Sequence, residues 1–299
     1  MEKILITGGT GLIGSHLIPI LKERGYQVVL LSRREQMHLG CKAFEWDLDK
    51  NYIDENAFEG VTRIIHLAGA GIADKRWTDS RKKVLVNSRV KSAELLLNYV
   101  REKSVGLKSF ISASGIGYYG TSTTEHVFTE SDPPADEFVS EICVEWEAAA
   151  DQFSDICRVV KLRTGVVLSA DGGALEKLSK PIKLGFGAPI GSGNQYMPCI
   201  HIKDLCMMYA YVLKNESANG VYNAVSGQKS TNKDLTKAVA DELNKPLWLP
   251  NVPGFALKLV FGEMSKILLG GSHVSAEKIK SLGFEFEFPT LKTALSEIY

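Results

Sequence analysis

The stretch Lys3-Ile4-Leu5-Ile6-Thr7-Gly8-Gly9-Thr10-Gly11-Leu12-Ile13-Gly14 most narrows what this chain can fold into. Ile4-Leu5-Ile6 is an unbroken apolar run, the pattern of a strand buried on both faces of a parallel sheet. Beyond the glycines, Leu12, Ile13, Leu17, Ile18 and Leu21 recur at helical spacing. Strand, glycine turn and helix are the setting in which G-x-G-x-x-G carries meaning, and Gly9, Gly11 and Gly14 fit it. Glycine permits the tight turn and lets backbone approach a pyrophosphate. The helix offers free N–H groups and a positive dipole end to that anion. The competing reading is a glycine-rich turn with no ligand. Its place directly after the first strand favours a dinucleotide site.

With 299 residues the chain is long enough for one large or two modest domains. Thirty-five basic residues balance 35 acidic ones, and nothing in that balance recruits nucleic acid or an anionic membrane. The five cysteines form neither a C-x-x-C pair nor a metal-spaced cluster, so no metal is expected and a reducing, cytoplasmic setting fits. The N-terminus enters a strand at once, unlike a signal peptide, and no apolar run is long enough to span a membrane.

Gln27 to Leu31 reads as a second strand, ending in Ser32-Arg33-Arg34. A site for NAD usually sets a carboxylate here, about 20 residues past the glycines, to bond the ribose 2′-hydroxyl. A hydroxyl and two guanidiniums suit a 2′-phosphate instead, which favours NADP(H). The alternative is a solvated basic loop. Lys42 to Trp46 reads as a third strand, followed by Asp47-Leu48-Asp49, which reads equally as a place where an adenine could pack or bond and as a solvated loop. Ile64 to Leu67 reads as a fourth, running into Ala68-Gly69-Ala70-Gly71, small residues that let backbone near a cofactor. Val84 to Arg101 reads as a helix, Phe110 to Ser114 as a fifth strand, and Phe138 to Phe153 as a helix. Arg158 to Leu162 reads as a sixth strand. Repeated strand–turn–helix units with apolar strands imply a doubly wound parallel α/β sheet. Gly165 to Gly193 is rich in glycine and proline and reads as the loops of a substrate-side lobe. Ile200 to Asp204 opens another helix, Val221 to Ala224 is another strand, and Thr231 with Asp234 makes a capping box. The apolar stretches Phe255–Phe261 and Met264–Leu269 read as core and packing surface.

These motifs resemble the extended short-chain dehydrogenase/reductases. The matches are Gly8-x-x-Gly11-x-x-Gly14, His66-Leu67-Ala68-Gly69, Asn87, Ser112-Ala113-Ser114, and Gly191-Ser192-Gly193 with Ile200 to Asp204. Closer is an atypical branch, the epimerase-family or nucleoside-diphosphate-sugar epimerase-like proteins. Ala73-Asp74-Lys75-Arg76-Trp77-Thr78, Gly117-Tyr118-Tyr119-Gly120, Trp146-Glu147, Leu162-Arg163-Thr164-Gly165 and Pro189 to Gly193 are similar to its signatures. The tail from about Trp248 looks like its C-terminal domain of unknown function.

The resemblance implies an NAD(P)-binding Rossmann fold with a smaller C-terminal substrate lobe. A Rossmann domain would occupy 1–165, with 200–225 returning to it. The substrate-side lobe would take 166–199 and 226–299, including a C-terminal domain at 248–295. Cofactor contacts are implied for Gly8, Thr10, Gly11, Leu12, Ile13, Gly14, Ser32, Arg33, Arg34, Asp47, Leu48, Leu67, Ala68, Gly69 and Asn87. The family's Tyr-x-x-x-Lys pair falls on Val139 and Cys143, which can supply neither the proton nor the cation. Ser114 is then the candidate for polarising a carbonyl and Tyr119 for donating a proton, with Tyr118 as the alternative donor. Met197 stands where relatives that bind nucleotide sugars carry an arginine, which points away from a nucleotide-diphosphate sugar as substrate. The reading is an NADP(H)-dependent oxidoreductase or epimerase-like enzyme for a small molecule, with a homodimer as a possible assembly. The alternative is an inactive NADP-binding regulatory or interaction protein.

Overall fold

The computed structural model describes residues 2–299. In chain order the elements of the first half are β1 (Lys3–Thr7), α1 (Leu12–Glu23), β2 (Gln27–Ser32), β3 (Gln36–His38), β4 (Cys41–Asp47), β5 (Tyr52–Ile53), β6 (Val61–His66), α2 (Asp79–Glu102), β7 (Ser109–Gly115), β8 (Val127–Phe128) and α3 (Phe138–Asp151). The second half continues with β9 (Arg158–Thr164), β10 (Val166–Leu168), α4 (Gly173–Lys183), β11 (Cys199–His201), α5 (Ile202–Lys214), β12 (Gly220–Ala224), α6 (Asn232–Glu242), α7 (Gly254–Phe261), α8 (Lys266–Leu269), β13 (His273–Val274), α9 (Glu277–Ser281) and α10 (Leu291–Ile298).

One large sheet runs in the order β12, β9, β7, β6, β1, β2, β4, β3, with β5 also paired to β4. Every pairing from β12 across to β4 is parallel, and only the β3 and β5 edges are antiparallel. The period-2 alternation of a strand explains how helices come to lie on both faces. In β1, Ile4 and Ile6 join the core under α1 and α5, where Leu17, Ile18, Leu205 and Met208 meet them. Leu5 enters the opposite core with Leu96, Leu97 and Val100 of α2 and Ala150 of α3. Strand order reverses about β1: β2 and β4 lie to one side, β6 and β7 to the other. The crevice at the C-terminal ends of β1 and β6 is therefore the switch point at which open α/β sheets take their ligands.

A third core joins Leu175 and Ile182 of α4, Leu235 and Val239 of α6, and Leu291 and Leu295 of α10. The strand pair β10–β11 sits at its base. A fourth, smaller core packs Trp77 and Leu85 against Val139, Ile142 and Met264. Among the described residues no helix is long and apolar enough to cross a membrane.

The structure departs from the sequence expectations in several places. α2 starts at Asp79, not Val84, because Thr78 caps it, its Oγ1 accepting from Arg81 N–H at 3.2 Å. The stretch expected to be loops holds the 11-residue helix α4, with Pro181 inside it. Apolar α7, expected as core and packing surface, has no buried residue at all.

Candidate functional site

The glycine turn after β1 has no space for a side chain at Gly8 or Gly14. A Cβ on Gly8, whose φ is +68°, would lie 2.8 Å from the carbonyl carbon of Leu67. A Cβ on Gly14 would lie 2.5 Å from Gly9 Cα. The N–H of Gly11 donates to Gly8 O at 3.0 Å, which closes the turn. No side chain caps α1, so its first N–H groups stay available to an anion. Donor set and close approach both fit a dinucleotide pyrophosphate held over Gly8, Thr10, Gly11, Leu12, Ile13 and Gly14.

β6 is pinned beside this turn by its last residue. His66 Nδ1 is 2.7 Å from Thr7 Oγ1, and its Nε2 is 3.1 Å from Ser92 Oγ. Burial brings the His66 pKa down to about 4, so the ring is neutral and can serve both hydroxyls. Thr7 Oγ1 also accepts from the N–H of Ala68 at 3.2 Å, fixing Leu67, Ala68 and Gly69 next to the cradle. The loop beyond is held by α2. Ser88 Oγ accepts from Ala70 N–H at 3.0 Å, and Arg89 donates to the carbonyls of Ala70 and Leu85 at 3.0 and 2.8 Å. Asn87, expected as a cofactor contact, is exposed on α2 next to Ser88, and its side chain makes no hydrogen bond among the described residues. A Cβ on Gly69 would stand 3.0 Å from Arg89 Cζ, so the guanidinium would have to shift to admit one. Arg89 is 5 % exposed, rests over the Trp146 ring at 4.7 Å, and has no acidic partner among the described residues. Nothing in the sequence pattern marked it.

At the end of β2, Arg33 and Arg34 are exposed, and neither guanidinium has a partner among the described residues. The nearest acid in sequence, Glu35, is engaged by Lys42 at 3.0 Å. Ser32 Oγ turns back to the backbone carbonyl of Arg34. Asp47 is likewise occupied within its own loop. It accepts from the N–H groups of Asp49 and Lys50 at 2.9 and 3.2 Å, and these bonds hold its carboxyl below the usual range. Leu48 follows it, half-buried against the core under α2.

The three residues expected to do chemistry converge on one buried ion pair that sequence reading missed. Arg163, on β9, meets Glu147, on α3, through two bonds of 2.7 and 2.9 Å. Burial alone would lower the Arg163 pKa, but the bonds to Glu147 outweigh it and hold the guanidinium charged. Ser114 Oγ donates to Glu147 at 2.7 Å, so in this structure its proton points into the ion pair and not at the crevice. Tyr119 is 1 % exposed; its hydroxyl donates to Asn223 Oδ1 at 2.7 Å and accepts from Arg163 at 2.9 Å. Burial pushes its pKa up to about 12. This corrects the expectation that Tyr119 is the accessible proton donor. Tyr118 differs: its ring lies flat on the Arg163 guanidinium, 3.3 Å from the centroid, it is half-buried, and its hydroxyl has no partner among the described residues.

Val139 and Cys143, at the positions of the expected Tyr and Lys, lie beneath the turn that carries Tyr118. A Cβ on Gly117 would stand 2.6 Å from Val139 Cγ2 and 3.6 Å from Cys143 Sγ. Ser140 Oγ donates to Gly117 O at 2.8 Å, so the turn is seated on the helix. Burial, with Glu147 nearby, pushes the Cys143 thiol up to about 12, which leaves it inert as a nucleophile. Met197 lies half-buried against the α4–α6–α10 core and offers no charge. The mouth of the crevice is bridged by the α4 segment: Asp171 is 3.0 Å from His16, and Lys177 Nζ reaches the carbonyl of Ala73 at 3.5 Å.

Comparison with known proteins matches residues 4–224 to the NAD dependent epimerase/dehydratase family. Residues 252–298 match a domain of unknown function, DUF1731. The mouse epimerase family protein SDR39U1 is 33 % identical over 299 residues, with 99 % of each chain covered. An epimerase family protein of Staphylococcus aureus, SAR0825, is 32 % identical over 301 residues, covering 100 % of this chain and 99 % of its own. Among solved structures, human SDR39U1 with NADPH superposes with a TM-score of 0.89 at 31 % identity, covering 99 % of both chains. The chain belongs to the NAD dependent epimerase/dehydratase family, carrying after it the C-terminal domain of unknown function.

Proposed function

We propose that this protein is an NADP(H)-dependent oxidoreductase or epimerase-like enzyme acting on a small molecule. The observation that carries the reading is the end of β2. Two guanidiniums, Arg33 and Arg34, stand free where a site for NAD would set a carboxylate, beside a glycine cradle that admits only backbone. The NADPH bound by human SDR39U1 supports the same choice. The nicotinamide would supply a hydride acceptor or donor. The N–H groups of α1 would hold the pyrophosphate, and Arg33 with Arg34 would take the 2′-phosphate. Ala68 and Gly69 would line the crevice without side chains in the way. Among the residues at this edge, Tyr118 is the phenol whose proton is uncommitted, and a phenol keeps its proton at neutral pH until an alkoxide develops.

Fluorescence titration with both reduced cofactors tests this. A charge-assisted bond contributes about 1.5–3 kcal/mol, so NADPH should bind roughly tenfold to a hundredfold tighter than NADH. Arg33→Ala should erase most of that gap. Equal affinities in the unaltered protein would overturn the proposal.

A second reading keeps the cofactor and drops the chemistry. It rests on Val139 and Cys143, which leave the usual helix without acid or cation beneath the Gly117 turn. Steady NADPH consumption with any carbonyl compound would exclude it.

A further inference from the structure

We propose that one face of the C-terminal lobe docks on an anionic lipid bilayer. The face is assembled from the end of α4 and the turn after it, the loop 245–252, and α7. These parts are contiguous. Trp248 Nε1 donates to Gly185 O at 3.0 Å, Val252 N–H donates to Pro189 O at 2.8 Å, and α7 begins directly beyond. Leu184, Phe186, Trp248, Phe255, Leu259 and Val260 stand 58–78 % exposed on it. Phe255 and Leu259 are one helical turn apart, so they share a side of α7.

Charge decides what could cover this surface. Residues 177–203 and 243–262 contain no Asp or Glu, in a chain that has as many acids as bases. Lys180, Lys183, Lys245 and Lys258 belong to these same segments and are exposed, Lys183 with its Nζ 5.1 Å from the centroid of the Tyr299 ring. The first acid beyond, Glu263, is already neutralised by Lys82 at 2.6 Å. A second copy would bring the same lysines against these, which disfavours self-association. At 58–78 % exposure these side chains project into solvent and do not line the kind of enclosed pocket that takes a protein's anchoring residue. Separate aromatic and aliphatic tips ringed by lysine are the pattern that inserts at a headgroup layer while the cations meet anionic lipid. The zero net charge of the chain conceals this local excess.

The test uses the full chain and the tryptophans already present. Trp46, Trp77 and Trp146 are buried at 6–8 % exposure, so a spectral shift on binding reports Trp248. Phosphatidylcholine–phosphatidylserine vesicles should co-sediment the protein and blue-shift its emission, and phosphatidylcholine vesicles should do so far less. Each lysine near such a surface contributes about fivefold in affinity. Lys180→Glu with Lys183→Glu should therefore cost about tenfold or more, and added salt should weaken binding. Phe255→Ser with Leu259→Ser should abolish the blue shift while NADPH titration shows the fold intact. Equal binding to neutral vesicles would overturn the proposal. So would no binding to either vesicle, as expected if an acidic protein is the partner. A dimer in solution that Phe255→Ser with Leu259→Ser dissolves would overturn it as well.

Discussion

The Tyr119 hydroxyl donates a hydrogen bond to Asn223 Oδ1 and accepts one from Arg163, so it is engaged both as donor and as acceptor inside the protein. Such a residue specifies how β9, β12 and the Gly117 turn fit together. Tyr119→Phe leaves Asn223 Oδ1 and one Arg163 N–H unpaired in a dry place, which costs about 1–3 kcal/mol. The expected result is that loss of stability in urea unfolding, with NADPH affinity within a few-fold of the parent. The sequence shows Ser114, Tyr118 and Tyr119 as a set near one strand end, and they are together in space. It does not show their roles, because those depend on Glu147 and Arg163, which arrive from a helix and strand further along the chain. A motif registers residues close in sequence; a buried ion pair is closed by residues that are not. The glycine cradle was readable for the opposite reason, since every part of it lies within one short stretch.

The elements most legible in the chain are those buried on two faces. β1, β2, β7 and β9 show themselves by their apolar residues, Ile4 to Ile6, Val28 to Leu31, Phe110 with Ile111, and Val159 with Val160, although β7 and β9 also bury Ser112, Ser114, Lys161 and Arg163. Helices with one wet face were harder. α4 was hidden by its flanking glycines and by Pro181, which read as loop signals, although Leu175 and Ile182 bury one stripe. The first turn of α2 carries only polar residues, and its N-terminus is marked by the cap Thr78 alone. In α1 the element and the site share one residue. Gly14→Ala should favour the isolated helix by roughly 0.5–1 kcal/mol, but the added methyl meets Gly9 backbone at 2.5 Å. The turn must open to admit it. The expected outcome is retained helical circular dichroism with more than tenfold weaker NADPH binding by titration.

On the scale of the molecule, stability against pH carries the mark of His66. Its folded pKa is depressed to about 4 from 6.5, because burial penalises the charged ring. Above pH 6.5 the ring is neutral in both states and the native form keeps its full stability. As the pH falls through that value the unfolded chain takes up a proton that the native chain refuses until about 4, so stability drops across this window. The full loss is about 3 kcal/mol for this group. Urea unfolding at the two ends of the window should show it, and His66→Asn should flatten the slope at the cost of lower stability at neutral pH.

The order of the sheet also sets a schedule for making this protein. β9 pairs on one side with β7 and on the other with β12, which is not reached until Gly220–Ala224. Between them the chain must produce α4, the β10–β11 pair and α5, and α5 supplies much of the cover for one face of the sheet. A nascent chain that has emerged only as far as Thr164 therefore holds an apolar strand with an unpaired edge and a sheet with one face bare. That is the kind of edge on which chains aggregate. The nucleotide-binding half is first in sequence yet cannot be finished first. It has to wait, partly open, while a stretch of the other lobe is synthesised and folded out of the way, so a chaperone has its best opportunity on this chain between the birth of β9 and the arrival of β12.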